Sequence, residues 1–300
     1  MLTLASGASS VVVAPEFGGG LTGWVLGRTP ILRRAGPQAS TTGDRHGMGC
    51  IPLLPYCNRI RGAGFRWRGT DHRLEHNFGD NPATIHGLGW QRPWAVTEAG
   101  PLAVLLTLDH QADAAWPFAF GASIRYMLSG TVLTVAIGLT SRHDGPAPAG
   151  IGLHPYFPKG RDPMLRFDAA GVWENGPDCL PVRHGEVPVG WQHREPRRVA
   201  QSRLDNCFTG WGGSAEIDAG PASLRIEASA VFRHLQVFTP SWGDFFCVEP
   251  VSHVPDAVNH PDVAVDQAMH VLGPNETLSG TVRLCPGGAV SRHGTADAPG

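Results

Sequence analysis

Apolar and polar residues alternate with a period of two along most of this chain. In "TVLTVAIGLT" (131–140) Leu133, Val135, Ile137 and Leu139 fall on one face, and Thr134, Ala136, Gly138 and Thr140 on the other. "SLRIEAS" (223–229) repeats the pattern, with Leu224, Ile226 and Ala228 inward and Arg225 and Glu227 outward, and "TVRLC" (281–285) follows it near the end. Such alternation predicts half-buried strands of antiparallel sheets. "IRYMLSGTVLTV" reads as two strands joined at Ser129-Gly130, a hairpin. Further strands are predicted at "SVVVA", "WAVTEA", "AVLLTLD", "LQVFT" and "DFFCVE". Helical periodicity is missing from long stretches, and "DVAVDQAMHVLG" (262–273) is expected to hold a short helix or an irregular turn. No repeat of 20–50 residues occurs, which argues against a propeller or solenoid. The pattern predicts an all-β chain, one large antiparallel β-sandwich over residues 1–285, with 286–300 as a loose tail.

Composition narrows the picture. Thirty-nine glycines and 26 prolines in 300 residues exceed ordinary usage and, without polar low-complexity runs, signal many turns. Lys159 is the one lysine, so the positive charge is almost all arginine; the formal net charge of −2 offers no general attraction to nucleic acid or an anionic membrane. Six cysteines form no C-x-x-C pair and no zinc or iron–sulfur spacing. The N-terminal segment is a poor signal peptide and no apolar run approaches a bilayer span, so the expected compartment is the cytoplasm with free thiols.

Four stretches place polar groups in rigid settings. In "GLHPYFP" (152–158), Pro155 pushes His154 towards an extended conformation, which either fixes a proton donor or merely ends a strand. In "LPYCNRIRGAGFRWRG" (54–69), Asn58 and Arg59 lie between apolar residues, while "GAGFRWRG" reads as a hairpin tip carrying solvated Arg66 and Arg68. In "TIHGLGW" (84–90), His86 precedes a glycine beside which a ligand could approach the backbone; an ordinary loop histidine is the alternative. In "FFCVEPVSHVPDAVN" (245–259), Glu249 ends an apolar strand, where a carboxylate is costly unless paired or used, and where its pKa rises towards that of a base for neutral pH. Asp205, in "LDNCF" (204–208), reads on its own as a turn aspartate. "HRLEH" (72–76) spaces two histidines four apart but lacks a third ligand, and no phosphate-binding, dinucleotide-binding or serine-nucleophile motif is present.

Taken together, "PYCNRI", "IHGLGW", "HPYF", "LDNCF", "LQVFTP" and "VEPVSHVPDAVN" resemble, in order, the blocks of the aldose 1-epimerase (galactose mutarotase-like) family. "LGPNETLSGTVRL" is similar to that family's last strand. The resemblance implies a large antiparallel β-sandwich with an open sugar cleft and no cofactor or metal. It implies an isomerase that interconverts the α and β anomers of a small-molecule sugar by opening and reclosing its ring. It puts the acid on His154 and the base on Glu249, and sugar binding on Asn58, Arg59, His86, Asp205 and Gln236. "HGLGW" departs from the glycine-richer form of galactose-specific members, so the sugar stays open. Arg61, Arg66, Arg68 and Arg73 raise the alternative of an anionic, phosphorylated or sulfonated hexose. A non-catalytic carbohydrate-binding protein is the third reading, which a retained acid–base pair disfavours. Trp90 and Trp242 are candidate apolar faces for a sugar ring.

Overall fold

The computed structural model of the protein describes residues 1–36, 39, 47–160, 162–260 and 262–287. Of the predicted tail 286–300, Pro286 belongs to the last strand and Gly287 to a turn, and 288–300 lie outside the described residues. Among those described, the regular structure is strand, interrupted only by 3₁₀ turns. No described helix is long and apolar enough to cross a membrane.

Two large antiparallel sheets account for most strands. The first runs, edge to edge, Leu2–Ser6, Ser9–Ala14, Gly20–Leu26, Cys50–Leu53, Gly152–Pro158, Phe245–Val251, His234–Phe238, Asp205–Thr209, Gly171–Asn175 and Pro181–Gly185. The second runs Ala95–Ala99, Ala103–His110, Phe120–Ser129, Val132–Ser141, Thr277–Pro286, Leu224–Ala228, Ser214–Asp218, Met164–Phe167 and Arg197–Arg198. The alternating segments lie where the pattern predicts. Leu133, Val135, Ile137 and Leu139 are buried, as are Leu224 and Ile226. Their burial in the shared hydrophobic core supplies the main driving force for the fold. Ser129 pairs with Val132, so the hairpin turn is Gly130-Thr131, with Gly130 at φ 57 where a side chain would be strained. Residues 262–269 form turns without a helix, leading into the strand His270–Leu272.

The centre of the first sheet departs from simple alternation. Every residue of Phe245–Val251 is buried, because loops cover the face that would otherwise meet water. One face of that strand carries Phe246 and Val248; the other carries Cys247 and Glu249. The neighbouring strand behaves alike, with Leu153 and Phe157 on the first face and His154 and Tyr156 on the second. A two-sided burial of this kind explains why "FFCVEPV" reads as one apolar run rather than an alternating strand.

Candidate active site

The register between the two central strands builds the site. Gly152 pairs with Val251 and Tyr156 with Cys247, so His154 falls opposite Glu249. Between those paired positions stand Pro155 and Pro250, neither of which has an N–H to give the ladder. The acid and base candidates thus each precede a proline on facing strands. His154 Nε2 lies 3.4 Å from Glu249 Oε1. Tyr156, two residues on and therefore on the same face, stacks on the His154 ring with centroids 4.4 Å apart and planes 14° apart. His86 meets the same ring edge-on at 5.1 Å.

The next strands extend the row. Gln236 pairs directly with Glu249, and Asp205 with Phe238. Gln236 Nε2 donates to Asp205 Oδ1 at 2.8 Å, and Arg59 Nη1 stands 3.7 Å from Asp205 Oδ2. Asp205 therefore sits in a strand, held by a side-chain amide and a guanidinium, and is not the self-capping turn residue that its local sequence suggests.

Two crossing segments close the side of the cleft. Arg59 pairs with Ile85 in a short two-stranded ladder. Asn58 and His86 both adopt left-handed backbone conformations, φ 58 and φ 61, rare for residues with a β-carbon. They hold each other there. The Asn58 N–H donates to His86 Nδ1 at 3.1 Å, and the His86 N–H donates to the Asn58 carbonyl at 2.9 Å. With Nδ1 accepting, a neutral His86 carries its proton on Nε2. Asn58 Oδ1 accepts from the Arg59 backbone N–H at 2.9 Å and from Nη1 at 3.4 Å, which sets the direction of the guanidinium. The glycine after His86 serves a different purpose from the one its sequence suggests. A β-carbon on Gly87 would lie 2.1 Å from the Leu54 carbonyl oxygen, so it is the 54–55 backbone, not a ligand, that approaches there.

A cleft of about 410 Å³ opens over this face, within the usual range for a small-molecule pocket. Asn58, Arg59, His86, His154, Asp205 and Glu249 line it, and Gln236 lies beneath, bonded to Asp205. Arg33, Phe78, Tyr156, Phe238, Trp242 and Phe245 complete the wall. Arg33 lies over the rings of Tyr156, 4.1 Å, and Phe245, 4.4 Å, and carries no local signal in "ILRRAG". Tyr156 was accessible to period-two reasoning from His154. Of the two tryptophans singled out, Trp242 lines the cleft, whereas Trp90 is buried behind His86 with its indole N–H on the Gly87 carbonyl. Arg61 faces Asp178 and Asp256, and Arg66 bonds Asp71 on an exposed hairpin. Neither these nor Arg68 and Arg73 line the cleft. Among the described residues no third ligand joins the histidines of "HRLEH", and His72 packs on Phe65 and Phe118.

Burial dominates the electrostatics. Glu249 is 2% exposed, and its carboxyl is pushed well above the usual range, first by burial and then by the nearby Asp205, with Arg59 opposing. Burial also raises Asp205, against Arg59 and the Gln236 amide. Two carboxyl groups thus share one nearby guanidinium in an apolar setting, and a proton on one of them is favoured. Behind the cleft, His253 Nε2 accepts from the Cys57 N–H at 3.0 Å and its Nδ1 donates to the Val254 carbonyl at 2.8 Å. Burial pulls this imidazole down to about 4, and it ties the Asn58–Arg59 segment to the chain just after Glu249.

The sequence profile described as aldose 1-epimerase matches residues 1–285. The uncharacterized protein YphB of Escherichia coli K12 is 27% identical over 292 residues, 94% of this chain and 97% of its own length. A second protein of that organism, the uncharacterized YihR, is 33% identical over 217 residues, 69% of this chain and 70% of its own. The crystal structure of a candidate aldose 1-epimerase from Escherichia coli K12 superimposes with a TM-score of 0.84 at 26% identity, covering 95% of this chain and 97% of that one.

Proposed function

From the premise that this chain belongs to the aldose 1-epimerase family and has its galactose mutarotase-like fold, we propose that it interconverts the α and β anomers of an aldose by acid–base ring opening. The observation that carries this reading is the facing pair His154 and Glu249, 3.4 Å apart at the base of an open cleft. The hydroxyl on C1 and the ring oxygen are bound to the same carbon. A base and an acid side by side suit two oxygens that close together.

Glu249 takes the C1 hydroxyl proton while His154 gives a proton to the ring oxygen, and the C1–O5 bond breaks to leave an aldehyde. The aldehyde turns about C1–C2. On reclosure the O5 hydroxyl returns its proton to His154 as it attacks C1, and Glu249 returns its proton to the new C1 hydroxyl. Each cycle restores both groups. Burial strengthens Glu249 as a base, and Tyr156 stacked on His154 limits the swing of the donor. Arg59, Asp205 and His86 are assigned to the remaining hydroxyls: a guanidinium and an imidazole N–H donate, and a carboxylate accepts.

A neutral aldose is the favoured substrate, because the arginines that first suggested an anionic sugar lie away from the cleft, and of the two that line it Arg59 faces Asp205 and Arg33 packs over Tyr156 and Phe245. A purely binding role leaves a costly buried carboxyl beside an imidazole without a purpose. The test is an NMR anomer-exchange panel over neutral, phosphorylated and sulfonated hexoses. Catalysed exchange of at least one neutral aldose is expected; exchange confined to anionic sugars, or absent throughout, overturns the reading.

A further inference from the structure

The proton chemistry uses His154 and Glu249 but has no need of the thiol beside them. Cys247 shares their strand face, two residues before Glu249 and opposite Tyr156, and is fully buried. Its Sγ, a His154 ring nitrogen and a Glu249 oxygen all lie within 4.8 Å of one another. We propose that these three side chains form a binding site for a thiophilic divalent cation, zinc above all, at the base of the cleft, and that the cation competes there with the sugar.

The spacing suits the metal. Nitrogen and oxygen ligands about 2.0–2.1 Å from a tetrahedral centre lie roughly 3.3 Å apart. The His154–Glu249 separation of 3.4 Å already meets that edge. A sulfur ligand at about 2.3 Å requires an edge near 3.6 Å, within reach of a small turn of the cysteine side chain. The donor set is also selective. Imidazole nitrogen, thiolate sulfur and one carboxylate oxygen favour zinc over magnesium or calcium, which take oxygen ligands. Charge balances as well: on binding, the thiol, and the Glu249 carboxyl wherever it is protonated, release their protons to solvent, and one thiolate with one carboxylate neutralises the dication in an apolar floor. Tyr156, stacked on the imidazole, holds the ring in its ligating direction.

Access and selectivity follow from the fold. His154 and Glu249 line the cleft, so an ion reaches them from solvent and meets Cys247 behind. Cys50, Cys57 and Cys207 are also buried, but among the described residues it is Cys247 that joins the histidine and glutamate within ligand distance. Three protein ligands leave a fourth position facing the cleft. A metal held there occupies both groups assigned to the reaction, which makes zinc a reversible inhibitor. That consequence rests on the proposed anomerase reading; the binding site does not.

The experiment separates the two. Metal-free protein is titrated with cobalt(II), whose thiolate charge-transfer band and strong tetrahedral visible bands report sulfur ligation directly. One equivalent is expected to bind, to be displaced by zinc, and to lose the sulfur band in Cys247→Ser and in His154→Gln but not in Cys57→Ser. Anomer exchange by the wild type should fall with zinc and recover on chelation, while Cys247→Val keeps its basal rate and tolerates at least about tenfold more zinc. No sulfur band, or a band that survives in Cys247→Ser, overturns the site. A protein with the band but no anomer exchange on any sugar keeps the site and overturns the anomerase reading instead. Circular dichroism of each variant verifies folding, and with two ligand variants a misfolded one leaves the other to decide.

Discussion

His154 and Glu249 stand on adjacent antiparallel strands, side chains 3.4 Å apart, where Pro155 on one strand and Pro250 on the other interrupt the exchange of backbone hydrogen bonds. Their pairing is a matter of register: slipping either strand by one residue would send one of them into the hydrophobic core. The reading of the pair as acid and base leads to the first prediction. Glu249→Gln and His154→Gln should each lower anomer exchange by roughly 10²–10⁴-fold while sugar binding persists. Exchange by NMR and binding by calorimetry separate the two effects, and near-wild-type exchange in either variant sinks the assignment.

The rate should follow a bell in pH. It falls in acid as Glu249 gains a proton, and because burial raises that carboxyl, the acid midpoint lies above the ordinary carboxylate range. It falls in base as His154 loses the proton it must donate. A rate–pH profile with its acid midpoint near 4 would contradict the first half of this expectation.

The same burial makes Glu249 a stability liability. Between the ordinary carboxylate pKa and its raised value, the folded protein holds a proton that the unfolded chain has released, so stability declines as pH rises through that window. Glu249→Gln removes the ionisable group and keeps the shape. It should therefore be more stable than wild type at pH 7, by about 1 kcal/mol or more, with the gain shrinking towards pH 4. Urea denaturation at the two pH values measures it; a variant less stable at both refutes it.

Arg59 and Asp205 should act together. Arg59→Ala removes a charged donor worth about 1.5–3 kcal/mol, which corresponds to a rise in KM of roughly 10- to 150-fold, with a smaller change in kcat. Asp205→Asn should raise KM as well. Because the two groups are 3.7 Å apart, the double variant should lose less than the two single losses combined. Strict additivity would place them in separate roles.

His253 makes a prediction about acid. Its pKa is held down to about 4 by burial, so it contributes stability in full above the unfolded value of about 6.5, and this is lost as pH falls towards 4. The loss amounts to roughly 3 kcal/mol. His193 and His234 are lowered in the same direction, so the variant, not the wild-type slope, isolates the effect. His253→Gln should be less stable at pH 7 and show a shallower decline between pH 7 and 4. Equal slopes would mean that His253 is not held neutral in the fold.

Period-two alternation in "TVLTVAIGLT" and "SLRIEAS" was sufficient for the strands and for an antiparallel all-β class, because burial of one sheet face imposes that period on any such chain. His154 and Glu249 were likewise legible as candidates, since Pro155 restricts the backbone of the first and "FFCVEP" places the second where a carboxylate is expensive to keep. What the chain could not state locally is which residues meet. Arg33 enters the cleft through packing on Tyr156 and Phe245, more than 120 residues away in sequence, and nothing in "ILRRAG" distinguishes it. Asp205 looks like a turn residue until the strand His234–Phe238 brings Gln236 against it. Gly87 looks like a ligand contact until the Leu54 carbonyl is found in the space. Cys247 looks like core until its strand face proves to be that of His154 and Glu249. Periodicity is a property of one strand and is written in one stretch of residues, whereas the site is a property of register between strands, and register is decided only when the whole sheet is assembled.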